Sequence, residues 1–211
     1  MIRKISLDEL ERMKLADLEG ADDAGMEELL EKRGYSKINS GGYARIFSHP
    51  DLGGTVLRIA CPDDGWISYA TRAAGSPYAP RVDGLCFDGS RWIAIVERLE
   101  PINVDEIQKR LQKGDQDWID LVRAYRGALD CDPRNVDRAS FHTRYPGVAE
   151  FFDERLTPHT AMLDTADTNI MMRNGEPIYQ DPYKKPLPED ASIHVQWLAE
   201  EEPGSGPDCS P

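Results

Sequence analysis

The segment YSKINSGGYARIFSHPDLGGTVLRIA, residues 35–60, decides the fold class. Its β-branched and aromatic residues come in short runs, and Gly, Asn, Asp and Pro residues separate the runs. Short runs that are divided by turn residues are typical of consecutive antiparallel strands. We therefore predict an antiparallel sheet that starts near Tyr35 and has a Gly-containing turn between its first two strands.

The stretch that follows extends this sheet. PRVDGLCFDGSRWIAIVERLEP, residues 80–101, predicts a second hairpin that turns at Asp88-Gly89. Between the two strand-rich stretches, DDGWISYATRAAG, residues 63–75, is a short helix candidate. A third hairpin is predicted near the end of the chain, around the turn NGEP at residues 174–177.

Helical patterns come both before and after the strand-rich residues in the sequence. Ser6 and Glu9 form a capping box at the start of SLDELERMKLADL, and Gly34 is placed to end the helix GMEELLEKRG. Helical patterns also dominate residues 103–152, in VDEIQKRLQKG, DQDWIDLVRAYRGAL and GVAEFFDERL. The order predicts an α+β fold in which a sheet-rich part precedes a helical part. The apolar faces of the first helices must be buried, either on the sheet or against a partner or a second copy.

Composition limits the function classes. The chain has 211 residues, a formal net charge of -13 and a pI of about 4.7. Such a charge repels nucleic acids and anionic membranes and favours basic protein partners, although many acidic proteins are simply soluble. Four scattered cysteines without CxxC spacing argue against a zinc site or a disulfide framework. We predict a cytoplasmic protein without a membrane segment, because no long apolar run occurs.

The segment MLDTADTNIMMRNGEPIYQDPY, residues 162–183, carries the chemistry. Asp164 lies five residues before Asn169, and Asp181 lies twelve residues after it. Carboxylate and amide oxygens are ligands that Mg²⁺ prefers, and a further carboxylate can accept a proton from a hydroxyl. Asp and Asn are also common turn residues, so an ordinary turn is the simpler alternative.

Taken in chain order, the segments NSGGY, TVLRIA and VERLEP and the Asp–Asn–Asp set resemble the protein kinase-like fold. The resemblance is greatest to the short kinase-like early proteins of podoviruses, a group of bacteriophages, and it spans roughly residues 35–183. It implies a minimal two-lobed fold with an antiparallel sheet lobe followed by a reduced helical lobe. The expected divisions are an N-terminal helical segment at 1–33, a nucleotide-binding lobe at 34–99, a helical lobe at 100–198 and a disordered acidic tail at 199–211.

The resemblance also implies ATP and Mg²⁺ as cofactors and assigns roles to individual residues. Asp164 would be the catalytic carboxylate, Asn169 and Asp181 would bind the metal, and Arg58 would replace the usual phosphate-contacting Lys. Val96 would precede the hinge between the lobes. The remaining nucleotide contacts would come from the Gly-containing turn and from the hinge backbone, at Ser40, Gly41, Gly42, Tyr43, Glu97 and Leu99.

Several positions depart from the family pattern. No Glu occurs between Arg58 and Glu97, so the usual partner of the Lys is missing, and Asp63 or Asp64 could replace it. Ala166 stands where the family often has Lys or His near the phosphate. Asn39 and Ala44 stand at two of the Gly positions of the phosphate loop.

Two functions follow as expectations. The first is an ATP- and Mg²⁺-dependent phosphotransferase, a phage protein Ser/Thr kinase that modifies host proteins. The alternative is a weak or inactive kinase-like module that binds and inhibits a host protein through an acidic surface. Neither nucleic-acid binding nor membrane binding is expected, and the oligomeric state is left open.

Overall fold

A computed structural model describes residues 2–16, 18, 21–102, 104–116, 118–119, 143, 146–151 and 169–181. Its centre is a five-stranded antiparallel sheet with the strand order β1-β2-β3-β5-β4. The strands are β1 (Ser36–Ser40), β2 (Ala44–Ser48), β3 (Thr55–Ala60), β4 (Val82–Phe87) and β5 (Trp92–Glu97). The strand and turn predictions for residues 35–101 are therefore confirmed, including the turn at Gly89, where φ is +98°.

A second, three-stranded sheet follows directly on the first. It consists of β6 (Glu100–Pro101), β7 (Ile170–Arg173) and β8 (Glu176–Tyr179), in the order β6-β7-β8. Asn174 and Gly175 join β7 to β8 with φ values of +52° and +86°. Two consecutive positive φ values define the tight hairpin turn for which Asn-Gly is the preferred pair. The third predicted hairpin is thereby confirmed.

The helices follow the local signals, except that the first one ends at Arg12, well before the end of the predicted helix SLDELERMKLADL, and Lys14 there has a left-handed φ of +57°. The helices are α1 (Leu7–Arg12), α2 (Asp23–Lys32), α3 (Gly65–Arg72), α4 (Val104–Gln112) and α5 (Pro146–Phe151). Ser6 and Glu9 form the complete capping box of α1, and Gly34 follows α2 with φ +90°. Most of DQDWIDLVRAYRGAL, and residues 182–211 with the predicted tail, lie outside the described residues.

The sheet is covered on both faces. On the outer face, Phe47, Leu57 and Ile59 pack with Leu10 and Leu30 of the first two helices. Residues 3–5 also run beside β4, where the Ile5 N–H donates to Leu85 O and the Leu85 N–H donates to Arg3 O. The first 33 residues thus share a core with the sheet, as one of the two sequence alternatives expects.

On the inner face, Val56 and Ala60 pack with Trp66 and Tyr69 of α3 and with Tyr179 of β8. The mixed, antiparallel α+β architecture is the one predicted. None of the helices in the described part of the chain is long and apolar enough to cross a membrane.

Candidate functional site

A cavity of about 570 Å³ lies between the inner face of the large sheet and the small sheet. Its apolar wall comes from several strands and from the segment after β5, through Ile38, Ile46, Val56, Val96, Leu99 and Met171. Polar groups enter it at Arg58, Glu97 and Gln180. An apolar slot with a few polar groups is the usual form of a small-molecule site.

Arg58 is a buried cation in the wall of this cavity. Its side chain is only 5% exposed, and its Nη2 donates to Asp64 Oδ2 at 2.7 Å and to Asp181 Oδ2 at 2.8 Å. The guanidinium also lies over the Trp66 ring, 4.6 Å from its centroid. Burial acts to lower the pKa of Arg58, but the Asp181 and Asp64 carboxylates outweigh it and raise that pKa. The group is therefore a permanent cation that faces two carboxylates.

Not all of the donors of Arg58 are used. Its buried Nε has no hydrogen-bond partner in the structure as described, since both recorded bonds leave from Nη2. A buried donor without a partner costs free energy, and a ligand oxygen in the adjoining cavity would remove that cost. One cation and two carboxylates leave this cluster with a formal charge of -1, so an anionic ligand would fit here only together with a cation.

Helix α3 positions the first carboxylate. Asp64 is the N-cap of α3, where its Oδ1 accepts from the Trp66 N–H at 3.0 Å. Two side chains of α3 bond the end of the third hairpin: Trp66 Nε1 donates to Gln180 O at 2.9 Å, and the Tyr69 hydroxyl donates to Tyr179 O at 2.6 Å. These bonds fix α3 against the chain that leads into Asp181. Of Asp63 and Asp64, the two carboxylates that the sequence offered as partners for Arg58, Asp64 forms the ion pair. The neighbouring Asp63 is exposed.

The third hairpin brings Asn169 and Asp181 together. Ile170 pairs with Tyr179 at the open end of the hairpin, and the Gln180 N–H donates to Asn169 O at 2.8 Å. Asn169 and Asp181 therefore flank the same end, as the expected metal site requires. Their amide and carboxylate oxygens fit Mg²⁺, which commonly takes few protein ligands and completes its shell with phosphate and water.

Two findings limit the assignment of this site. Asp164, the expected catalytic carboxylate, lies outside the described residues. Within the described ranges, no group of three or more His, Cys, Asp or Glu side chains is placed to hold a metal ion. A dedicated all-protein metal cage is therefore not the arrangement seen in this part of the chain.

The turn between β1 and β2 lies beside the cavity but not in its wall. Ser40, Gly41, Gly42 and Tyr43 are exposed, and the Gly41 N–H donates to Ala44 O at 2.8 Å. The lining residues from this region are instead Ile38 and Asn39. The role of the turn in phosphate binding stays a prediction.

Glu97 and Leu99 both line the cavity at the segment that joins the two sheets. The Glu97 carboxylate accepts from Arg173 Nε at 2.7 Å and from Arg173 Nη2 at 2.5 Å. Arg173 also donates to the carbonyls of Pro77 and Ala79. Burial raises the pKa of Glu97, but the bonds from Arg173 and from the Arg81 N–H outweigh it, so that pKa is lowered. Sequence reasoning missed Arg173, since 76 positions separate it from Glu97.

Comparison with models of known protein families gives no match, and no curated protein matches the chain significantly.

Proposed function

We propose that this protein binds ATP with Mg²⁺ in the cavity and transfers the γ-phosphoryl group to a protein Ser or Thr hydroxyl. The observation that carries the proposal is the buried Arg58, held between two carboxylates in the wall of a largely apolar cavity. A nucleotide has the matching form, because an apolar ring system is joined to a strongly anionic chain.

The apolar part of the cavity wall supports a purine. Ile46, Val56 and Met171 offer apolar surface for a flat ring, and the chain at Glu97–Leu99 borders the same space. Backbone groups of such a segment can exchange hydrogen bonds with the edge of a base. A cavity of about 570 Å³ lies within the usual range for small-molecule sites, roughly 300–1,000 Å³.

The cluster of Arg58, Asp64 and Asp181 supports a triphosphate with a metal ion. Arg58 would contact the phosphate oxygens, and Asp181 with Asn169 would hold Mg²⁺. When bound, the metal would neutralise charge that develops on the phosphoryl group. Asp164 would accept the proton of the attacking hydroxyl, a role that rests on the sequence resemblance.

The fold supports assignment to the kinase-like class. The strand order β1-β2-β3-β5-β4, with α3 following β3 and packing on the inner face, fits a nucleotide-binding lobe. Asp64 supplies the carboxylate partner that the sequence lacked as a Glu. The class would be a minimal two-lobed kinase-like protein, and the sequence resemblance to podovirus early proteins suggests host proteins as substrates.

A second candidate is a kinase-like module that binds nucleotide without transferring phosphate and inhibits a host protein. The exposed turn at residues 40–43 favours it, because these residues do not line the cavity. Both candidates bind the same nucleotide, and they differ in whether they transfer its phosphoryl group.

The test measures melting with ATP, with Mg²⁺ and with both, and then phosphate transfer from labelled ATP to lysate proteins. ATP with Mg²⁺ at 100 times its Kd should add about 2.7 kcal/mol to the unfolding free energy. Asp181→Asn should lose most of the metal-dependent part, and the matched control Asp63→Asn should keep it. Transfer by the native chain and not by Asp164→Asn supports the kinase, whereas binding without transfer supports the module. If ATP with Mg²⁺ leaves the melting temperature unchanged, both are wrong.

A further inference from the structure

A second cavity, of about 640 Å³, borders the segment that links β5 to β6, which also borders the proposed nucleotide cavity. Leu99 lines the nucleotide cavity only, whereas Arg98 and Glu100 line both. Leu99 is buried and its two neighbours are exposed. In an extended segment, side chains two residues apart lie on the same side. Arg98 and Glu100 therefore share a side that borders the second cavity and that Leu99 does not share.

The apolar part of the wall of the second cavity is aliphatic. It comes from Ile2, Ala79, Val82 and Met172, and none of the described residues that line this cavity is aromatic. Ile2 and Val82 are only half-buried, so part of their surface is open to a ligand. Such a wall gives dispersion contacts to an aliphatic group and offers no ring for stacking.

Hydrogen bonds between distant segments hold this wall in place. Arg173 donates to the Glu97 carboxylate and to the carbonyls of Pro77 and Ala79. The Arg81 N–H donates to Glu97 Oε2 at 3.0 Å, and the Glu97 N–H donates to Arg81 O at 2.8 Å. The second cavity is therefore formed before any ligand binds.

Two charged side chains of this wall remain without a protein partner. The Arg81 guanidinium is paired with Asp83, where its Nε donates to Oδ1 at 2.7 Å. Within the described residues, neither Arg98 nor Glu100 forms a side-chain hydrogen bond or ion pair, and the two do not pair with each other. Their backbone positions are nevertheless fixed, because the Arg98 N–H donates to Gly54 O at 2.9 Å and Glu100 begins β6.

We infer that the second cavity is a small-molecule site for a free aliphatic α-amino acid. Such a ligand is a zwitterion, and it matches a wall that presents one unpaired cation and one unpaired carboxylate. Arg98 binds the ligand carboxylate, for which a guanidinium has the matching geometry, and Glu100 binds the ammonium group. The aliphatic side chain lies against Val82 and Met172. The inference goes beyond the proposed function and does not depend on it.

Calorimetry with L-leucine and three matched probes tests the site. Leucinamide lacks the carboxylate, N-acetylleucine lacks the ammonium group and glycine lacks the aliphatic side chain. Each probe should bind at least about 10-fold more weakly than leucine, since each loses one of the three contacts. Equal affinities of leucine and leucinamide, or no binding of leucine at any soluble concentration, would overturn the inference.

Two variants connect each charged group of the ligand to its partner. Arg98→Gln should weaken leucine binding by about 10-fold or more and leave leucinamide affinity within about 2-fold. Glu100→Gln should weaken leucine binding similarly and leave N-acetylleucine affinity within about 2-fold. Both side chains are exposed, so both variants should fold. Arg12→Gln changes an exposed arginine outside the cavity wall and should leave leucine binding unchanged. An equal loss in Arg12→Gln would mean a general charge effect and would contradict the site.

A second pair of variants separates the two cavities. Val82 lines only the second cavity, and Val56 lines only the nucleotide cavity. Val82→Phe should block leucine and leave ATP affinity within about 2-fold, whereas Val56→Phe should leave leucine binding intact. If Val56→Phe blocks leucine and Val82→Phe does not, the amino acid occupies the nucleotide cavity and the inference is wrong. A chain that binds leucine but no ATP would refute the proposed function alone.

Discussion

The two faces of the central sheet are built by opposite means. On the outer face, the buried cluster around Leu57 and Ile59 consists of apolar side chains, with helices α1 and α2 laid over it. On the inner face, Arg58 and Asp64 are buried beside a cavity. Strand β3 serves both faces, because its side chains alternate between them. The apolar core and the buried cation beside the cavity are thus formed by alternate residues of one strand.

This difference predicts which changes affect which property. A well-packed apolar face contributes stability and has no group that could bind a polar ligand. A face with a buried ion pair and a cavity contributes less stability per residue, because desolvation offsets attraction and the cavity lacks packing contacts. Variants on the two faces should therefore separate folding from binding.

The largest effect should come from removing residues 2–33. The deletion would expose Phe47, Leu57 and Ile59, which are each at most 2% exposed in the intact chain. A domain is stable by only about 5–15 kcal/mol, so the loss of this cover should prevent folding. We expect the truncated chain to aggregate or to lack a cooperative melting transition. A folded, soluble product that has lost a partner or its dimeric state would instead identify the segment as a docking site.

A smaller effect should come from neighbouring residues of β3. Leu57→Ala should cost about 2–5 kcal/mol in urea unfolding, because it leaves a cavity in the outer core. Nucleotide affinity of the folded protein should not change. Val56→Phe should have the opposite effect on binding, because its ring would enter the inner cavity and block the ligand. Its cost in stability should be smaller, about 1–3 kcal/mol.

The results for Leu57→Ala and Val56→Phe together can contradict the comparison of the two sheet faces. If Leu57→Ala weakens ATP binding as much as Val56→Phe does, the faces are not independent. Circular dichroism on both variants shows whether the comparison is made between folded proteins.

The elements that sequence predicts well are those with local causes. The capping box at Ser6 and Glu9 and the turns at Gly89 and Gly175 each depend on a few neighbouring residues. The alternation of apolar residues in TVLRIA likewise marks a strand. Such signals are contained in short windows, and the structure follows them.

The site was less predictable because its contacts are long-range. Arg58 bonds Asp181, which lies 123 positions later in the sequence. That Asp64 rather than Asp63 pairs with Arg58 depends on where α3 begins. Both depend on the packing of α3 against the sheet, which no local pattern specifies. The β1–β2 turn shows the opposite case. The sequence predicts that its glycines contact a ligand, but in the structure the neighbouring residue Asn39 lines the cavity and the glycines do not. A pattern can therefore locate a turn without specifying which of its residues face a ligand.

The smallest predicted effect concerns the contact between the two sheets, where Arg173 of β7 bonds Glu97 of β5. Glu97→Gln should cost about 1–2 kcal/mol at pH 7, since the hydrogen bonds from a cation would then meet a neutral acceptor. The exposed pair of Glu28 and Lys32 is the matched control, and Glu28→Gln should change the unfolding free energy much less, because water screens this pair.

The pH dependence of this cost follows from the sign of the shift. The pKa of Glu97 is lower in the folded protein than the ordinary value of 4.5, so the folded state favours the ionised carboxylate. Its contribution is fully present above pH 4.5 and is lost as the pH falls through the folded pKa. The difference in unfolding free energy between the native chain and Glu97→Gln should therefore shrink in urea titrations from pH 7 towards pH 3. A difference that stays constant over this range would mean that Glu97 acts through its size and shape rather than its charge.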